Sequence, residues 1–307
     1  MAGAALRAAA VDIGTNSMRL LIVEKIGQGL VELGRWQRVT GLGRGVDGTR
    51  LLSEEAMDRT LLVLAEFGGR MADAEVTVRR AVATSASRDA ANRGVFFNRA
   101  ELALGVRPEV ISGEAEAALA FAGATTGLTL PGPYVVVDVG GGSTEFVTAE
   151  GGRSFDIGSV RLTDRSLPNR PASDEELTAA RGAVVSVFSR VASTNSATGT
   201  VLGVAGTWTS LAGIKFGRVD VHLMEVTRAE VSDLVDRLAR LSVEETADLP
   251  GLDPARAPVI LAGAVVAESA LLALGAEKAV VSEHDLLDGV VAGLLARSAR
   301  EGGGTLA

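Results

Sequence analysis

The sequence of 307 residues contains no cysteine, which excludes disulfide bonds, thiolate zinc sites and cysteine nucleophiles together. Histidine is nearly absent as well, because His222 and His284 are the only two. Neither has the spacing partners of a metal site or of a His–Asp phosphohydrolase domain, and no Ser-His-Asp group can be nominated. Thiol, zinc and serine-triad chemistry are therefore not expected of this chain.

Long apolar runs and excess positive charge are missing too. Although 47% of the residues are hydrophobic, no run of about eighteen apolar residues occurs, which favours a globular protein with two cores. The first residues lack the features of a secretory signal, so we expect a cytoplasmic location and no membrane partner. The net charge of −8 argues against general nucleic-acid binding but leaves room for a local basic groove, and no specific nucleic-acid partner is expected. Of the 30 cationic residues 27 are arginine, whose planar fork suits phosphate.

A glycine-rich turn lies between two apolar runs in Val135–Val147, VVVDVGGGSTEFV. This order is typical of a strand, a tight turn and a second strand. Gly140–Gly142 lack a Cβ atom, so their backbone can adopt positive φ and their N–H groups can approach an anion, with the hydroxyls of Ser143 and Thr144 as further donors. The pattern predicts a phosphate-binding loop, and the alternative is a hairpin turn that needs glycine only for its geometry.

Two carboxylates, Asp138 and Glu145, stand at the two ends of this turn. Beside a bound phosphate they would repel the ligand unless a divalent cation lay between them. Oxygen ligands of this kind are those that Mg²⁺ takes in proteins. We therefore expect a metal cofactor, Mg²⁺ or Mn²⁺, at this loop.

The same layout occurs a second time near the beginning of the chain. Val11–Val23, VDIGTNSMRLLIV, matches Val137–Ala149, VDVGGGSTEFVTA, in the positions of Val, Asp, Gly and Ser. Repetition of such a segment about one domain length apart suggests an internal duplication. We expect two similar halves that face one another across a cleft, each presenting a hairpin loop to the same ligand.

Two predicted helix starts lie where a ligand could bind. Thr84–Asp89 follows a predicted strand, Val76–Ala83, at its carboxyl end, where α/β sheets commonly hold ligands, so Arg88 either forms a salt bridge with nearby acids or meets a phosphate. Ser112 is expected to cap a second helix, whose first turn contains Glu116. The helix dipole alone explains most acids in that position, but the apolar turns that follow would place this one at an internal cleft.

A linker sets the expected domain division. Thr125–Gly132 has the composition of a linker, so we expect an N-terminal domain over 1–125 and a C-terminal domain over 126–307. The last predicted helix, at about 286–300, could pack back on the first domain.

Further elements are predicted from apolar periodicity in the second half. The strand Thr200–Ala205 runs into a third glycine turn, which begins with Gly206 and Thr207 and opens a helix. Two more helices are predicted over Val226–Leu241 and Ala257–Leu274. The second half thus repeats an alternation of strands and helices that is typical of α/β proteins.

Seven phrases, in this order, extend along nearly the whole chain: VDIGTNSMRL, ATSASRDA, ISGEAEAALAF, VDVGGGSTEF, IGSVRLT, GVAGTWTSLAGI and VSEHDLLDGVVAGL. Together they resemble the exopolyphosphatase and guanosine pentaphosphate phosphatase (Ppx/GppA) family, of the actin, Hsp70 and sugar-kinase superfamily. The resemblance implies an α/β fold with two RNase-H-like domains, each a mixed sheet flanked by helices, around a central cleft. The chain is similar to the short members, because two histidines and this length cannot supply the His–Asp-type domain of longer ones.

The resemblance also implies roles for particular residues. Glu116 matches the family's catalytic glutamate, and Asp138 and Glu145 match its metal-associated acids, to which Asp12 of the first hairpin is added. The candidate phosphate-binding residues, from the glycine turns and the resemblance together, are Thr15, Asn16, Ser17, Arg88, Gly140, Gly141, Gly142, Ser143, Thr144, Gly206 and Thr207.

Residues and resemblance together predict the release of terminal orthophosphate from inorganic polyphosphate, with short chains as the expected substrate and water activated by Glu116. Guanosine pentaphosphate is the alternative substrate, and a weakly catalytic regulator that binds polyphosphate or guanosine tetra- or pentaphosphate in the stringent response is the alternative class. An ATP-using kinase, with Gly203–Ser210 holding adenosine, is a third hypothesis without a recognisable acceptor pocket. A homodimer is expected. Two positions depart from the family pattern: Ala118 stands where Arg is frequent, and Leu287–Gly289 stands where Arg or Lys with Glu precedes Gly.

Overall fold

The structure is a computed structural model that describes residues 6–27, 29–191 and 199–302, with side chains described as far as residue 298. The chain divides into two compact units, Met1–Ser112 with Leu286–Ala307 (unit 1) and Gly113–Asp285 (unit 2). The predicted division at residue 125 differs from these units in the helix Gly113–Thr125, which belongs to unit 2. The closing helix belongs to unit 1.

The strands and helices of the described residues follow in chain order. Unit 1 contains β1 (Leu6–Ile13), β2 (Ser17–Ile26), β3 (Gly29–Val39), α1 (Val46–Thr49), α2 (Glu54–Asp73), β4 (Val78–Ala83), α3 (Ser85–Asp89), α4 (Arg93–Leu104) and β5 (Glu109–Val110). Unit 2 contains α5 (Gly113–Thr125), β6 (Tyr134–Val139), β7 (Thr144–Thr148), β8 (Gly151–Phe155), α6 (Ser159–Ser166), α7 (Asp174–Phe188), β9 (Thr200–Val204), α8 (Ala205–Phe216), β10 (Glu225–Thr227), α9 (Arg228–Ala239), α10 (Val243–Ala247), α11 (Ala257–Leu274) and β11 (Lys278–Val281). The chain then returns to unit 1 with α12 (Leu286–Gly302).

Each unit is built around a mixed sheet with the same core topology. In unit 1 the strand order is β3-β2-β1-β4-β5, with β1–β2 and β2–β3 antiparallel and β1–β4 and β4–β5 parallel. In unit 2 the order is β10-β11-β9-β6-β7-β8, in which β6, β7, β8, β9 and β11 repeat that arrangement and β10 adds an antiparallel edge. The hairpins β1–β2 and β6–β7 therefore occupy equivalent places. This topology confirms the predicted α/β fold and supports the duplication inferred from the repeated segment.

Helices cover the apolar side chains of both sheets. In unit 1, α2 packs on α4 and β2, and Leu64, Phe67 and Phe96 are fully buried in the core that results. α12 packs on β1, β2 and β4, so the closing helix completes the same unit. In unit 2, Phe188 and Trp208 are fully buried in a core to which α7, α8, α9 and α11 contribute. The burial of these apolar surfaces is the main force that holds each hairpin in place.

The helix α11 accounts for the most apolar stretch of unit 2. By length and composition Pro254–Leu274 could cross a membrane, because an 18-residue window within it has a mean hydropathy of 2.0, yet 78% of that window is buried inside the protein. The helices α6, α7, α8 and α9 all pack against α11. Its composition is therefore that of a central core helix.

The structure corrects one predicted helix. The residues predicted to be helical from Val226 begin instead with the strand β10, in which Val226 is buried and pairs with Ala279 of β11. α9 begins after Thr227, whose hydroxyl accepts from the N–H of Glu230 at 3.3 Å, while the Glu230 carboxylate accepts from the N–H of Thr227 at 2.8 Å. This capping box fixes the helix start, because it satisfies N–H groups that a helix leaves unpaired.

Candidate active site

The same hydrogen bond closes the turns of the two equivalent hairpins. In the first hairpin, the N–H of Gly14 donates to the carbonyl of Ser17 at 3.1 Å. In the second, the N–H of Gly140 donates to the carbonyl of Ser143, also at 3.1 Å. The residues matched by the sequence repeat thus have the same local geometry, and the two loops can be compared position by position.

The hairpins differ in charge at the strand ends beside these turns. In the first, Asp12 pairs with Arg19 across the strands, and the guanidinium donates to Oδ2 of the carboxylate through Nε at 2.9 Å and Nη2 at 2.6 Å. In the second, Asp138 pairs with Glu145, so two carboxylates lie where the first hairpin has an ion pair. The charge of Asp12 is compensated within the chain, whereas the second hairpin gathers negative charge.

A third carboxylate reaches this acidic pair from α5. The helix packs closely on the β7–β8 hairpin: a Cβ atom at Gly113 would lie 2.5 Å from Cβ of Ser154, and one at Gly152 would lie 2.9 Å from a side chain of the helix. Side chains at these two positions would push the helix away, so glycine is required. Glu116, in the first turn of α5, is consequently buried, and its charge acts on Glu145.

Glu145 is the most buried of the three acids, with 1% of its surface exposed. Burial raises the pKa of its carboxyl well above the ordinary value, and the negative charges of Glu116 and Asp138 raise it further. Hydrogen bonds from Ser154, whose hydroxyl lies 2.7 Å from Oε1, and from Ser143 lower the pKa but do not cancel the increase. Among the described residues, Oε2 has no hydrogen-bond partner.

These residues fit a divalent cation. A hard cation would offset the like charges that raise the pKa of Glu145, and it would take the unpaired buried oxygen of this side chain as a ligand. In the described part of the chain no three His, Cys, Asp or Glu side chains form a complete metal cage. Asp138 and Glu145 instead suit the mode in which Mg²⁺ takes one or two carboxylates and completes its shell with water and substrate phosphate. Asp12, the third predicted ligand, binds Arg19, and its role at a metal stays a prediction.

The carbonyl groups of the glycine loop are bound by the segment that starts α6. The N–H of Val160 donates to the carbonyl of Gly141 at 2.8 Å. The buried side chain of Arg161 donates through Nε to the carbonyl of Gly142, also at 2.8 Å. The described residues provide no acceptor for the N–H groups of Gly141 and Gly142, which therefore remain available to an anion.

Gly158, the residue before α6, permits this contact. A Cβ atom at Gly158 would lie 2.7 Å from the carbonyl oxygens of Gly140 and Gly141, so any other residue would push the loop away. The positive φ that the sequence allowed for Gly140–Gly142 is not observed, because the described glycines with positive φ lie elsewhere. Close backbone approach is the need for glycine that is observed here, at Gly158 and at Gly140, where a Cβ atom would lie 3.2 Å from the carbonyl oxygen of Ser143.

The two hydroxyl groups predicted to bind phosphate in this loop have protein partners. Thr144 is fully buried, and its hydroxyl donates to the carbonyl of Ile157 at 2.6 Å, so its proton is not available to a phosphate. Ser143 is buried as well, and its hydroxyl acts on the Glu145 carboxyl, whose pKa it lowers. Both side chains therefore support the loop and its acid, which leaves the backbone as the principal source of donors.

In unit 1 the first hairpin loop presents polar groups of its own. Thr15 accepts at Oγ1 from the N–H of Ala86 at 3.1 Å, which ties the loop to the start of α3. Asn16 is buried, and neither Nδ2 nor Oδ1 of its amide has a partner among the described residues. A buried amide without partners is costly unless a ligand satisfies it, so Asn16 is a strong candidate for ligand contact. Arg88 donates through Nη1 to the carbonyl of Ile111 at 2.9 Å.

The third glycine turn opens α8, as predicted. Gly206 lies against the guanidinium of Arg256, since a Cβ atom there would come within 2.2 Å of Cζ. Ala205, just before it, has a φ of 67°, which is uncommon for a residue with a side chain and is often retained at ligand sites. Thr207 is buried, with its methyl group close to Gly263. The predicted residues of this turn thus lie beside a buried cation that the sequence did not single out.

Comparison with known proteins shows the family of this chain. The profile of the Ppx/GppA phosphatase family matches residues 21–298. The chain belongs to the Ppx/GppA phosphatase family. It is 38% identical to exopolyphosphatase 2 of Mycobacterium tuberculosis, over 94% of this chain and 98% of that protein.

Solved Ppx/GppA structures share the fold. The crystal structure of an exopolyphosphatase-like protein matches with a TM-score of 0.89 and 35% identity, over 94% of this chain and 97% of that one. The family member from Aquifex aeolicus matches with a TM-score of 0.77 and 30% identity, over 97% and 99% of the two chains. These matches confirm the resemblance, the actin-like architecture of RNase-H-like units and the enzyme class, a phosphoanhydride hydrolase.

Two residues that support the Ppx/GppA site were not predicted from the sequence. Ser154 pairs with Glu145 across the β7–β8 strands, and only the register of that hairpin, which the sequence does not specify, could have indicated it. Gly158 meets the backbone of Gly140 and Gly141, eighteen and seventeen positions earlier in the chain, so no local pattern indicates this contact. Both residues position other groups of the site.

Gly158→Ala is expected to lower kcat/KM for the phosphorylated substrate by about tenfold or more while the protein stays folded. The added methyl group would meet the backbone of Gly140 and Gly141, which cannot rotate away as a side chain can, so the loop must shift. Gly182→Ala, on α7 with open space around the new methyl group, is the matched control and should be fully active. Unchanged kcat/KM in a folded Gly158 variant would show that the loop position does not matter.

Glu145→Gln is expected to stabilise the metal-free protein near neutral pH. Folding raises the pKa of Glu145, so the folded protein binds the proton of this carboxyl more tightly than the unfolded chain does. The stability gained from this proton is fully present below the ordinary pKa of 4.5 and is lost as pH rises through the raised pKa. In EDTA the variant should therefore melt a few degrees above wild type near pH 7, and the difference should shrink in acid. If the variant melted below the wild type near pH 7, the conclusion that burial and the charges of Glu116 and Asp138 destabilise an ionised Glu145 would be wrong.

Proposed function

We propose that this Ppx/GppA protein is an exopolyphosphatase that releases orthophosphate from the ends of inorganic polyphosphate chains. The name of the Mycobacterium relative supports the substrate. One feature of unit 2 carries the proposal: Glu116, Asp138 and Glu145 lie close enough for their charges to interact, next to a glycine loop with free backbone donors. A chain of phosphoanhydrides needs such donors and charge compensation, and it needs no covalent chemistry from the protein.

Glu116 is proposed to orient the attacking water and accept its proton. It is the one acid of the three that does not belong to the hairpin, so it can approach the water from α5 while the hairpin acids serve the phosphates. Modest basicity suffices, because most of the rate in phosphoryl transfer comes from positioning and charge stabilisation. The close packing of α5 on β8 at Gly113 would fix the position of this carboxylate.

Asp138 and Glu145 are proposed to hold Mg²⁺, which supplies charge compensation for the phosphates when it is bound. Ser154 would orient Glu145 through the hydrogen bond to Oε1, which leaves Oε2 free to act as a ligand. The N–H groups of Gly141 and Gly142 would donate to phosphoryl oxygens. The loop is held ready for this by the segment at the start of α6, so little reorganisation is needed when the substrate binds.

The test is the release of orthophosphate, measured with malachite green, from short polyphosphate, long polyphosphate and guanosine pentaphosphate in the presence of Mg²⁺. We expect release from polyphosphate without any acceptor molecule. Release of orthophosphate from guanosine pentaphosphate alone would show that the protein is a guanosine pentaphosphate phosphatase instead. Tight binding of polyphosphate without release of orthophosphate would indicate a sensor. Formation of ADP only in the presence of an acceptor would indicate a kinase.

A further inference from the structure

A loop segment of unit 1, Gly41–Arg44, of which only Arg44 is exposed, is attached to the first hairpin loop. The N–H of Gly41 donates to the carbonyl of Asn16 at 2.9 Å. The N–H of Gly43 donates to the carbonyl of Thr15 at 2.8 Å, and a Cβ atom at Gly43 would lie 2.3 Å from Cγ2 of Thr15. The segment therefore follows the loop closely, and the next residue, Arg44, starts from a fixed position beside it.

Arg44 is exposed, but its side chain lies back over this segment. A Cβ atom at Gly41 would be 2.8 Å from Nε and 3.1 Å from Cδ of Arg44, and Gly41 has a φ of 62°. Gly41 thus provides both the turn and the space that the stem of Arg44 occupies. No ion pair or side-chain hydrogen bond among the described residues involves this guanidinium, whereas nearby Arg50 lies 3.5 Å from a carboxylate oxygen of Asp89.

We propose that Arg44 binds phosphates of a polyphosphate chain beside the first hairpin loop of unit 1. The inference rests on the proposed function and adds a substrate-binding residue to it. Within unit 1, the unpaired amide of Asn16 is buried and Arg44 is exposed beside the same loop. A phosphate chain that extends from the loop into solvent would meet the guanidinium, whose planar fork suits phosphate oxygens. No carboxylate has to be displaced for this contact.

This position predicts an effect on binding rather than on chemistry. Arg44 would contact the part of the substrate that does not react, so the interaction is the same in the ground state and the transition state and appears in KM. Because the residue is exposed, salt should weaken the interaction. Long chains should benefit more than tripolyphosphate, which offers fewer phosphates outside the loop.

The test compares Arg44→Gln with Arg237→Gln, which removes the same charge from an exposed arginine of α9 that has no ion pair among the described residues. For long polyphosphate, Arg44→Gln should raise KM about tenfold with kcat unchanged within about twofold, and Arg44→Lys should recover most of the affinity. The rise should be smaller for tripolyphosphate, and KM of the Gln variant should depend less on ionic strength. An unchanged KM, an equal rise for both substrates, or an equal rise in the Arg237 variant overturns the proposal.

Binding without turnover separates this inference from the proposed function. Calorimetry with long polyphosphate compares Glu116→Gln with the double variant Glu116→Gln/Arg44→Gln, in which hydrolysis is blocked. We expect the double variant to bind about tenfold more weakly. If the wild type releases no phosphate from polyphosphate, the proposed function fails, and calorimetry still decides about Arg44: equal Kd values, or no binding by either variant, overturn the inference.

Discussion

Glu116→Gln is expected to lower kcat for polyphosphate hydrolysis by about 10²-fold or more, while Kd for polyphosphate stays within a few-fold. The amide retains the shape of the side chain but cannot accept the proton of the attacking water. Because Glu116 is buried close to Glu145, the variant also loses one negative charge from an acidic cluster, so its melting temperature in EDTA should not fall. Phosphate release at saturating substrate, calorimetric Kd and thermal unfolding are the three measurements.

The first turn of α5 contains its own control. Glu114 lies two residues before Glu116 and is exposed, so Glu114→Gln removes the same charge from the same helix end and should leave turnover unchanged. Both acids interact with the helix dipole, which means that a purely structural role would affect the two variants alike. If Glu116→Gln kept its turnover and lost only some stability, Glu116 would be a helix-start residue and another base would have to be found.

The hairpins and the helix start could be predicted from the sequence because local patterns specify them. Apolar runs that end in Asp12 and Asp138, each followed by a small polar turn, indicate strand, turn and strand without any tertiary information. The repeat then predicted that the two loops are equivalent, which their topology supports. The first turn of α5 was recognisable from its acids, including Glu116, and its apolar continuation.

The partners of the polar side chains could not be predicted, because they depend on register and packing. Thr144 has the chemistry of a phosphate ligand, yet its hydroxyl donates to Ile157, thirteen residues further along the chain. Arg161 is one of the 27 arginines whose planar fork suits phosphate, and its Nε donates to the carbonyl of Gly142. Hydroxyl and guanidinium groups can donate to a backbone carbonyl as well as to a ligand, so only the groups that surround them determine which of the two they bind.

The departure at Leu287–Gly289 shows the same limit. From the sequence, Asp288 was only a residue that differs from the family pattern. In unit 1 its carboxylate accepts from Nη2 of Arg35 at 2.7 Å, an ion pair that connects α12 to the edge strand β3. The partners are 253 positions apart in the chain, so no local pattern could have joined them.

Removal of metal is expected to stop turnover, with a loss of about 10²-fold or more in EDTA and full recovery in Mg²⁺ or Mn²⁺. Asp138 and Glu145 flank a loop whose backbone can donate to a polyanion, and both carboxylates are buried. Without a cation each carboxylate would repel a substrate phosphate, at a cost of several kcal/mol. Asp138→Asn should therefore need about tenfold more Mg²⁺ for half its maximal rate. Its stability without metal should stay the same or rise, because one of the charges that oppose Glu145 is removed.

The first hairpin supplies the comparison that tests this account. Asp12 occupies the place of Asp138, but Arg19 already compensates its charge at 2.6 Å, so Asp12→Asn should shift the Mg²⁺ requirement less than Asp138→Asn does. Equal shifts would mean that Asp12 takes part in metal binding despite its ion pair. Full turnover in EDTA-treated, metal-free buffer would contradict the metal site itself, and the charge of the phosphates would then have to be compensated by arginines such as Arg88 and Arg161.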